Sequence, residues 1–243
     1  MGFLEKLFGK KQAPARTCSA VIVAAGRASR MEGVDKILCP MGGRPLLAYT
    51  LAPFQSSDLV DEIVIVTRED LMVAIGDLCR REGFSKVRRV VKGGESRTES
   101  VLAGLRAADP EAALLAIHDG ARPFVTREVI ETAIEAARQC SAAAPAIPVK
   151  DTIKRAKDGV IQETPDRDEL FAVQTPQVFD ADLIRTAETK AMEEGASLTD
   201  DCSAVERLGF PVHLTQGSEE NLKITTPADL LWADAIIAER MGR

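Results

Sequence analysis

The amino-acid sequence predicts an α/β protein, with a doubly wound, mostly parallel β-sheet and a projecting β-hairpin arm. The first observation behind this prediction is an alternation of short apolar runs, rich in β-branched residues, with segments of helical periodicity. The second is a length of 243 residues, which suits one large domain, or one domain with a small appendage, with its own core. The third is a change of pattern at Lys150, after which a segment poor in apolar residues turns back at Asp158-Gly159.

The apolar runs predict five buried strands, at residues 19–24, 62–67, 87–91, 113–118 and 143–149. Helices are predicted between them, at residues 45–54 with Pro45 in the first helical position, 69–82, 98–108 and 127–139. Because strand–helix–strand connections are right-handed, these strands are expected to lie parallel, with their carboxyl ends at one edge of the sheet.

The segment at residues 150–173 is predicted to form the arm, because it holds too few apolar residues for a core of its own. Such an arm is expected to have its use outside its own domain. Regular structure is predicted again over residues 171–179. Helices follow at residues 181–194, at 200–208 with Gly209 as the cap, and from a capping box at Thr226-Pro227 to Arg240.

Composition and charge exclude several classes of protein. The chain has 31 basic and 37 acidic residues, a net charge of −6 and a pI near 5.2, unlike a protein that binds long nucleic acids. No apolar run approaches the roughly 18 residues of a transmembrane helix, so stable membrane insertion is not expected. Five cysteines without a C-x-x-C pair and two distant histidines predict neither disulfides nor a zinc site, and favour a reduced, cytoplasmic compartment.

The N-terminal residues 1–16 differ from the rest of the chain. They carry four basic residues against the single acidic residue Glu5, and their apolar residues could share one face of a short helix. We interpret them as a flexible basic tail, because one short basic segment anchors weakly to a membrane. A weak membrane-surface or partner-binding helix is the alternative.

The first candidate site is the loop after the first predicted strand, where residues 24–31 read AAGRASRM. Its small residues Ala24, Ala25 and Gly26 let the backbone approach a ligand, and backbone N–H groups there can cradle phosphates. Arg30 and Lys36 add positive charge. The loop lacks both the G-x-G-x-x-G and the Walker A patterns, so a polar loop decorated with basic residues is the alternative.

Two further strand ends carry candidate residues. After the third predicted strand, Gly94 lies in a tight turn and Ser100 can donate a hydrogen bond near a helix start; a plain helix cap is the alternative. After the fourth, Asp119 is placed to face a metal ion or a ligand hydroxyl. Arg122 would bind phosphate or brace the loop, and His118, which has no partner in sequence to make it a base, is expected to be structural.

The last candidates lie late in the chain and comprise Thr152, Arg167, Thr175, Thr199 and Lys223. Lys223 precedes the last predicted helix, where an ammonium group could meet developing negative charge; a solvated surface lysine is the alternative. No Ser-His-Asp triad, Cys-His pair or pair of glycosidase carboxylates is indicated. The sequence therefore favours electrostatic catalysis on phosphates over covalent catalysis, and assigns no residue to a metal.

Several motifs agree in order and spacing with one family: AAGRASRM, GGESRTESVLAGL, HDGARPFV, PVKDTIK, LFAVQTPQVF, TDDCSAVERLG and ENLKITTPADL. They extend from residue 19 to residue 232. On these motifs the chain resembles the 2-C-methyl-D-erythritol 4-phosphate cytidylyltransferase family. The resemblance implies a single nucleotidyltransferase domain of Rossmann-like type over residues 17–243, with the arm at residues 150–173.

The resemblance also implies an activity: joining CTP and 2-C-methyl-D-erythritol 4-phosphate into 4-diphosphocytidyl-2-C-methyl-D-erythritol, with release of pyrophosphate, in isoprenoid precursor synthesis. The implied catalytic residues are Arg30, Lys36 and Lys223, with Mg²⁺ bridging the CTP phosphates. The implied CTP-binding residues are Ala24, Ala25, Gly26, Gly94, Ser100 and Asp119. The implied residues for the second substrate are Asp119, Thr152, Arg167, Thr175 and Thr199. A homodimer is implied, in which Thr152 and Arg167 complete the neighbouring subunit's site.

The first loop departs from the family pattern, and alternatives remain open. Ala28 stands where the family usually has glycine, and Asp35-Lys36-Ile37 where it usually shows Pro-Lys-Gln. A ribitol 5-phosphate or other polyol-phosphate cytidylyltransferase is the nearest alternative, although that family tends to have valine where Ala121 stands. A nicotinamide dehydrogenase and a CTP-binding regulator without turnover are the others. The missing glycine fingerprint counts against the first of these, and the retained basic residues against the second.

Overall fold

The computed structural model describes residues 17–26 and 37–242, and its elements follow the predicted alternation. The strands are β1 (Cys18–Ala24), β2 (Pro40–Met41), β3 (Arg44–Pro45), β4 (Glu62–Thr67), β5 (Val87–Lys92), β6 (Leu114–Asp119), β7 (Ala142–Pro148), β8 (Arg155–Lys157), β9 (Val160–Glu163), β10 (Phe171–Val173), β11 (Gln177–Asp180) and β12 (His213–Gln216). The helices are α1 (Leu46–Ser56), α2 (Met72–Glu82), α3 (Arg97–Ala107), α4 (Arg127–Cys140), α5 (Ala181–Glu193), α6 (Asp201–Arg207) and α7 (Pro227–Met241). Short 3-10 turns lie at Glu69–Leu71 and Arg167–Glu169.

The main sheet has β1 at its centre, between β4 and β6, and these three strands are parallel. On one side β4 also pairs in parallel with the edge strand β5. On the other side β11 lies antiparallel between β6 and β7. β7 pairs with β10 antiparallel and with β12 in parallel. The predicted mostly parallel sheet is therefore confirmed, with two antiparallel strands inserted where the sequence predicted only regular structure.

Helices cover both faces of this sheet, as a doubly wound fold requires. On one face α1, α2 and α4 form a core in which Leu47 and the β1 residue Ile22 are both fully buried. On the other face α3, α5 and α6 form a second core that contains Leu105 and the β1 residue Val21. Neighbouring residues of β1 thus point into opposite cores, because side chains alternate along a strand. None of the described helices is long and apolar enough to cross a membrane.

The structure corrects three local predictions. β5 is not a buried strand, because it lies at the edge of the sheet, and its residues are half-buried or exposed. The helix predicted at residues 69–82 is divided, since the 3-10 turn at Glu69–Leu71 precedes α2. Pro45 pairs with Pro40 in the β2–β3 ribbon and caps α1 instead of occupying its first position. By contrast, the capping box at Thr226 and the position of Pro227 are confirmed.

Strands β8 and β9 form a hairpin at the predicted Asp158-Gly159 turn. Both turn residues have positive φ, 51° and 79°, as a tight turn between antiparallel strands requires. Every residue of the two strands is exposed, and Val160 and Ile161 leave 62% and 59% of their surface in solvent. Within the described part of the chain these apolar side chains have no core to pack into.

Two helical glycines separate the effect of helix propensity from that of packing. Gly76 in α2 faces open space, whereas a Cβ on Gly104 in α3 would lie 2.8 Å from Cγ2 of Val66. We expect Gly76→Ala to raise the free energy of unfolding by about 0.5–1 kcal/mol, because alanine favours the helix. We expect Gly104→Ala to lower it by about 1–3 kcal/mol, because α3 must move away from the sheet. Urea denaturation measures both changes, and shifts of equal sign would contradict the packing argument.

Candidate functional site

The carboxyl ends of the parallel strands meet at one edge of the sheet, where the predicted ligand loops begin. The backbone N–H of Gly93 donates to the carbonyl of Thr67 at 2.8 Å, and the Thr67 hydroxyl donates to the carbonyl of Ala24 at 3.3 Å. The N–H of Gly120 donates to the carbonyl of Val23 at 2.8 Å. The parallel sheet therefore brings three of the sequence motifs together at its carboxyl edge.

Glycine is required where these loops touch. A Cβ on Gly93 would lie 2.6 Å from Cβ of Ala25, and a Cβ on Gly120 would lie 2.9 Å from Cβ of Ala24. Gly26, the next residue of the first loop, is exposed. The small residues of the three motifs thus meet at one surface. The N–H groups of Gly93 and Gly120 are engaged there by the chain itself, whereas Gly26 has open space beside it.

The loop before α3 is held in shape by its own serines. The Ser96 hydroxyl accepts from the N–H of Glu99 at 3.1 Å and so caps α3. The buried Ser100 hydroxyl accepts from the N–H of Gly94 at 3.1 Å and donates to the Ser96 carbonyl at 2.9 Å. Ser100 therefore closes the loop internally, while Gly94 is exposed at the predicted nucleotide loop.

Asp119 is the charged centre of this edge. Its carboxylate lies 2.9 Å from Nζ of Lys223 and 3.6 Å from Nε of Arg122, and only 11% of its side chain is exposed. Burial by itself would raise the pKa of Asp119, but the nearby charges of Lys223, Arg97 and Arg122 hold that pKa at about 2. Asp119 is therefore ionised at neutral pH, and its carboxylate pairs with the ammonium group of Lys223.

Arg122 braces the loop that carries Asp119. Besides its contact with Asp119, its Nη1 donates to the backbone carbonyl of Asn221 at 2.7 Å. The N–H of Ile224 donates in turn to the carbonyl of Ala121 at 2.8 Å. Of the two roles that the sequence left open for Arg122, the geometry matches bracing. This contact docks the segment around Lys223 onto the end of β6.

Two buried amides, which lie in the sequence motifs but were given no role there, fix the same segment. The side-chain N–H of Asn221 donates to the Thr175 carbonyl at 3.0 Å and to Oε1 of Gln174 at 3.2 Å. The side-chain N–H of Gln174 donates to the Ser218 carbonyl at 2.8 Å. The peptide between Thr175 and the proline that follows it is cis. The two amides therefore hold the segment before Lys223 against this turn. The contact is not evident from the sequence, because the two residues are 47 positions apart.

His118 is a structural residue, as predicted. It is fully buried, and its ring lies 5.0 Å from that of Phe54. The carbonyl of Arg122 can only accept, so Nε2 of His118 donates to it at 3.3 Å. Nδ1 of the neutral ring then accepts from the hydroxyl of Thr175 at 2.9 Å, and this hydroxyl accepts from the backbone N–H of Asp119 at 3.1 Å. Burial lowers the pKa of His118 to about 4, so the ring is neutral at neutral pH. Thr175 lies at the site, but its hydroxyl is engaged in this chain of hydrogen bonds.

Arg97, the first residue of α3, connects the loop before α3 to α6. Its two terminal nitrogens donate to the two carboxylate oxygens of Asp201 at 2.7 and 2.6 Å. Asp201 is fully buried, and its N–H donates to Oε1 of Gln177 at 2.9 Å. Arg97 lies inside the motif GGESRTESVLAGL, but nothing in the sequence predicted its pairing with Asp201. Thr199, predicted to contact the second substrate, is exposed just before α6.

Thr152 and Arg167 lie apart from this cluster and are exposed. Nη1 of Arg167 donates to the backbone carbonyl of Lys150 at 3.3 Å. Across the described ranges, no hydrogen bond or ion pair joins either residue to Asp119 or Lys223. The chain therefore does not bring these two predicted substrate residues to its own strand-end cluster.

Arg30 and Lys36, predicted to hold the triphosphate, lie outside the described residues. The described residues on either side of them are Gly26, two residues after the end of β1, and Ile37, which is buried in the core. The carbonyl of Ile37 accepts from the N–H of Leu47 at 3.0 Å, at the start of α1. Ile37 is therefore fixed to the start of α1, while Gly26 is exposed.

Comparisons with known proteins point to one family. The family model described as IspD, 2-C-methyl-D-erythritol 4-phosphate cytidylyltransferase, matches residues 18–239. The chain is 48% identical to the 2-C-methyl-D-erythritol 4-phosphate cytidylyltransferase of Halalkalibacterium halodurans, over 93% of this chain and 99% of that protein. It is 46% identical to that of Caldanaerobacter subterraneus subsp. tengcongensis, over 90% of this chain and 98% of that protein.

Solved structures agree with these sequence matches. The 4-diphosphocytidyl-2C-methyl-D-erythritol synthase of Anaerococcus prevotii is 33% identical, with a TM-score of 0.84 over 92% of this chain and 97% of that one. The 2-C-methyl-D-erythritol 4-phosphate cytidylyltransferase of Thermus thermophilus is 32% identical, with a TM-score of 0.74 over 90% of this chain and 98% of that one. With this shared fold and three of its motifs meeting at the carboxyl edge of the sheet, the chain belongs to the 2-C-methyl-D-erythritol 4-phosphate cytidylyltransferase family.

Proposed function

We propose that the chain transfers the cytidylyl group of CTP to 2-C-methyl-D-erythritol 4-phosphate and releases pyrophosphate. The observation that carries this proposal is the Lys223–Asp119 ion pair at the carboxyl edge of the sheet, among the loops of the family motifs. Membership of the family supports the same two substrates. It favours 2-C-methyl-D-erythritol 4-phosphate over ribitol 5-phosphate and other polyol phosphates.

The reaction needs positioning and charge rather than a general base. A phosphate oxygen of the second substrate attacks the α-phosphorus of CTP. The new P–O bond forms as the bond from that phosphorus to the bridging oxygen of the β-phosphate breaks, and pyrophosphate leaves with the electron pair. The second pKa of a phosphate monoester is about 6, so the attacking oxygen is already ionised at neutral pH. A buried, neutral His118 is consistent with such a reaction, since no proton has to be removed.

Lys223 is proposed to stabilise the negative charge that develops on the transferring phosphate. Its ammonium group is held by Asp119, yet 42% of its side chain is exposed, so a substrate phosphate can reach it. Arg30 and Lys36 are proposed to hold the triphosphate and the departing pyrophosphate. Held in this way, the reacting atoms would meet at a fixed distance and angle, which lowers the entropic part of the barrier.

The other predicted residues are assigned to the two substrates. CTP is proposed to be bound at the strand ends by Ala24, Ala25, Gly26, Gly94, Ser100 and Asp119. Ser100 would act through the shape of the loop, because its hydroxyl is engaged by Gly94 and Ser96. The second substrate is proposed to be bound by Asp119, Thr175 and Thr199, together with Thr152 and Arg167.

Magnesium is proposed to enter with the triphosphate of CTP. In the parts of the chain that the structure describes, no group of three His, Cys, Asp or Glu side chains could hold a metal ion unaided. The ionised carboxylate of Asp119 lies at this edge and fits the role of a single protein ligand. When bound, the ion would neutralise charge on the phosphate oxygens.

A homodimer is proposed in which the arm reaches the neighbouring subunit. The support is the exposed hairpin, whose Val160 and Ile161 point into solvent, together with the exposed strand β10, where Phe171 and Val173 leave 43% and 39% of their surface uncovered. A second copy of the chain would cover these apolar side chains. It would also receive Thr152 and Arg167, which lie beside the hairpin.

A reducing, cytoplasmic location is proposed from the cysteines. The five cysteines Cys18, Cys39, Cys79, Cys140 and Cys202 are all free thiols, and three of them are buried. Burial raises the pKa of Cys18 to about 12 and that of Cys79 to about 11, so these thiols are unreactive. Such thiols suit a compartment in which disulfides do not form.

Pyrophosphate release tests the proposed function. With CTP and Mg²⁺, we expect release in the presence of 2-C-methyl-D-erythritol 4-phosphate, together with a product of the mass of 4-diphosphocytidyl-2-C-methyl-D-erythritol. We expect little release with ribitol 5-phosphate, and none after EDTA has removed the metal. Turnover with ribitol 5-phosphate alone, or CTP binding without turnover of either substrate, would contradict the proposal.

A further inference from the structure

A buried carboxylate without a donor lies behind the nucleotide loop. Glu188 on α5 is fully buried, and neither of its carboxylate oxygens has a hydrogen-bond partner among residues 17–26 and 37–242. Beside it, on α6, lies the equally buried Asp201. Arg97 is the cation that faces both carboxylates, and both of its terminal nitrogens are already bound to Asp201.

This arrangement places two carboxylates in the core against one guanidinium. If both were ionised, one negative charge would be buried without compensation, which is costly in a protein interior. Two carboxylates also have no hydrogen to share, whereas a single proton on Glu188 removes the excess charge and supplies an O–H donor toward Asp201. Asp201 is the poorer site for that proton, because its two oxygens accept from Arg97. Burial, followed by the charge of Asp201, raises the pKa of Glu188 to about 8.

We propose that Glu188 is a positioning residue, which keeps a proton between α5 and α6 and thereby holds Asp201 against Arg97 at the start of the nucleotide loop. In this state Asp201 presents both oxygens to Arg97, which fixes the first turn of α3 and the Gly94 loop before it. Loss of the proton sets two carboxylates against each other and loosens that contact. The inference rests on the proposed function only in that the Gly94 loop is taken to bind CTP.

The charged groups around Glu188 come from each element packed against α5. Helix α6 contributes Asp201 and the capping residue Asp200, and α3 contributes Arg97. Strand β11 contributes Gln177, which does not titrate and whose Nε2 donates to Asp200 at 2.9 Å. Strand β6 ends in Asp119, whose charge acts on Arg97. With its pKa raised to about 8, Glu188 gains or loses its proton near neutral pH.

The first test compares Glu188→Gln with the wild type. Glutamine keeps the shape and the donor of the protonated acid but cannot ionise. For the wild type we expect the KM for CTP to rise about three- to tenfold between pH 7 and pH 9, the effect of losing one hydrogen bond, with kcat little changed. For Glu188→Gln we expect a KM for CTP equal to that of the wild type at pH 7, without the rise between pH 7 and pH 9. Glu193→Gln, an exposed glutamate on the same helix, is the matched control and should follow the wild type.

The second test does not depend on catalysis. An acid whose pKa is higher in the folded than in the unfolded chain contributes stability below the unfolded value, about 4.3, and loses it as the pH rises through the folded value. We therefore expect the free energy of unfolding of the wild type to decrease, relative to that of Glu188→Gln, as the pH rises from about 4.3 to 8. Above about pH 8 the two free energies should change with pH in the same way. Infrared absorption of the wild type at neutral pH should also show a protonated carboxyl group.

The outcomes separate this inference from the proposed function. Parallel stability profiles at all pH values, or no protonated carboxyl in the wild type, would overturn the proton on Glu188. Divergent stability profiles with identical pH profiles of KM, or of CTP affinity by calorimetry, would overturn the positioning role. Absence of turnover in every protein, wild type included, would instead reject the proposed function, and the unfolding and infrared results would still decide the proton.

Discussion

Replacing Lys223 by alanine is expected to lower kcat about 100- to 1000-fold, the usual loss when one preorganised charge is removed from a transition state. The ammonium group is anchored by Asp119 at 2.9 Å and remains partly exposed at the carboxyl edge of the sheet. Without Lys223, the buried carboxylate of Asp119 keeps Arg122 at 3.6 Å as a cationic neighbour, so we expect the variant to fold but with reduced stability. Steady-state pyrophosphate release, together with thermal unfolding, separates the two effects.

The control for this variant is another exposed lysine. Lys190 lies on α5, and its Nζ is 4.0 Å from Glu194, so Lys190→Ala removes a surface ion pair away from the strand ends. We expect it to change kcat by less than about twofold. Lys36→Ala is expected to resemble Lys223→Ala, because its proposed partner is the triphosphate. A near-normal kcat in Lys223→Ala would remove that residue from the chemistry.

The central strands could be predicted from local sequence because they are buried on both faces. β4 is buried along its whole length, so its apolar run and the strand coincide. β12 gave no such signal, because His213 and Leu214 are exposed and the strand is held by its pairing with β7. Such a strand is defined by its partner in the sheet rather than by its own residues.

The candidate site divides in the same way. Asp119 and Gly94 could be placed at one edge from the sequence, because the carboxyl ends of parallel strands converge. The contacts that fix their surroundings could not be predicted, because they join residues far apart in the sequence. Arg97 is 104 residues from Asp201, and Gln174 is 47 residues from Asn221. Amide and guanidinium side chains at these positions have many possible partners until the tertiary fold selects one.

The arm gives the second large expected effect. Thr152 and Arg167 are exposed and, within the described residues, have no hydrogen bond to the strand-end cluster of their own chain. If they complete the neighbouring subunit's site, Arg167→Ala and Lys223→Ala should each be nearly inactive alone for different reasons. The first lacks the arm's guanidinium, and the second lacks the ammonium group at the strand ends. Each mutation therefore damages a different part of the same composite site.

Mixing these two inactive variants is expected to restore about a quarter of wild-type activity. In a mixed dimer, the site with an intact Lys223 receives its arm from the subunit with an intact Arg167, and the other site carries both defects. Random assortment makes half of the dimers mixed, and half of their sites are complete. Co-expression with two affinity tags isolates the mixed dimer, and Thr152→Ala can replace Arg167→Ala as an independent arm variant. Absence of recovery in the isolated mixed dimer would mean that the arm serves its own chain, because each site would then retain one of the two defects.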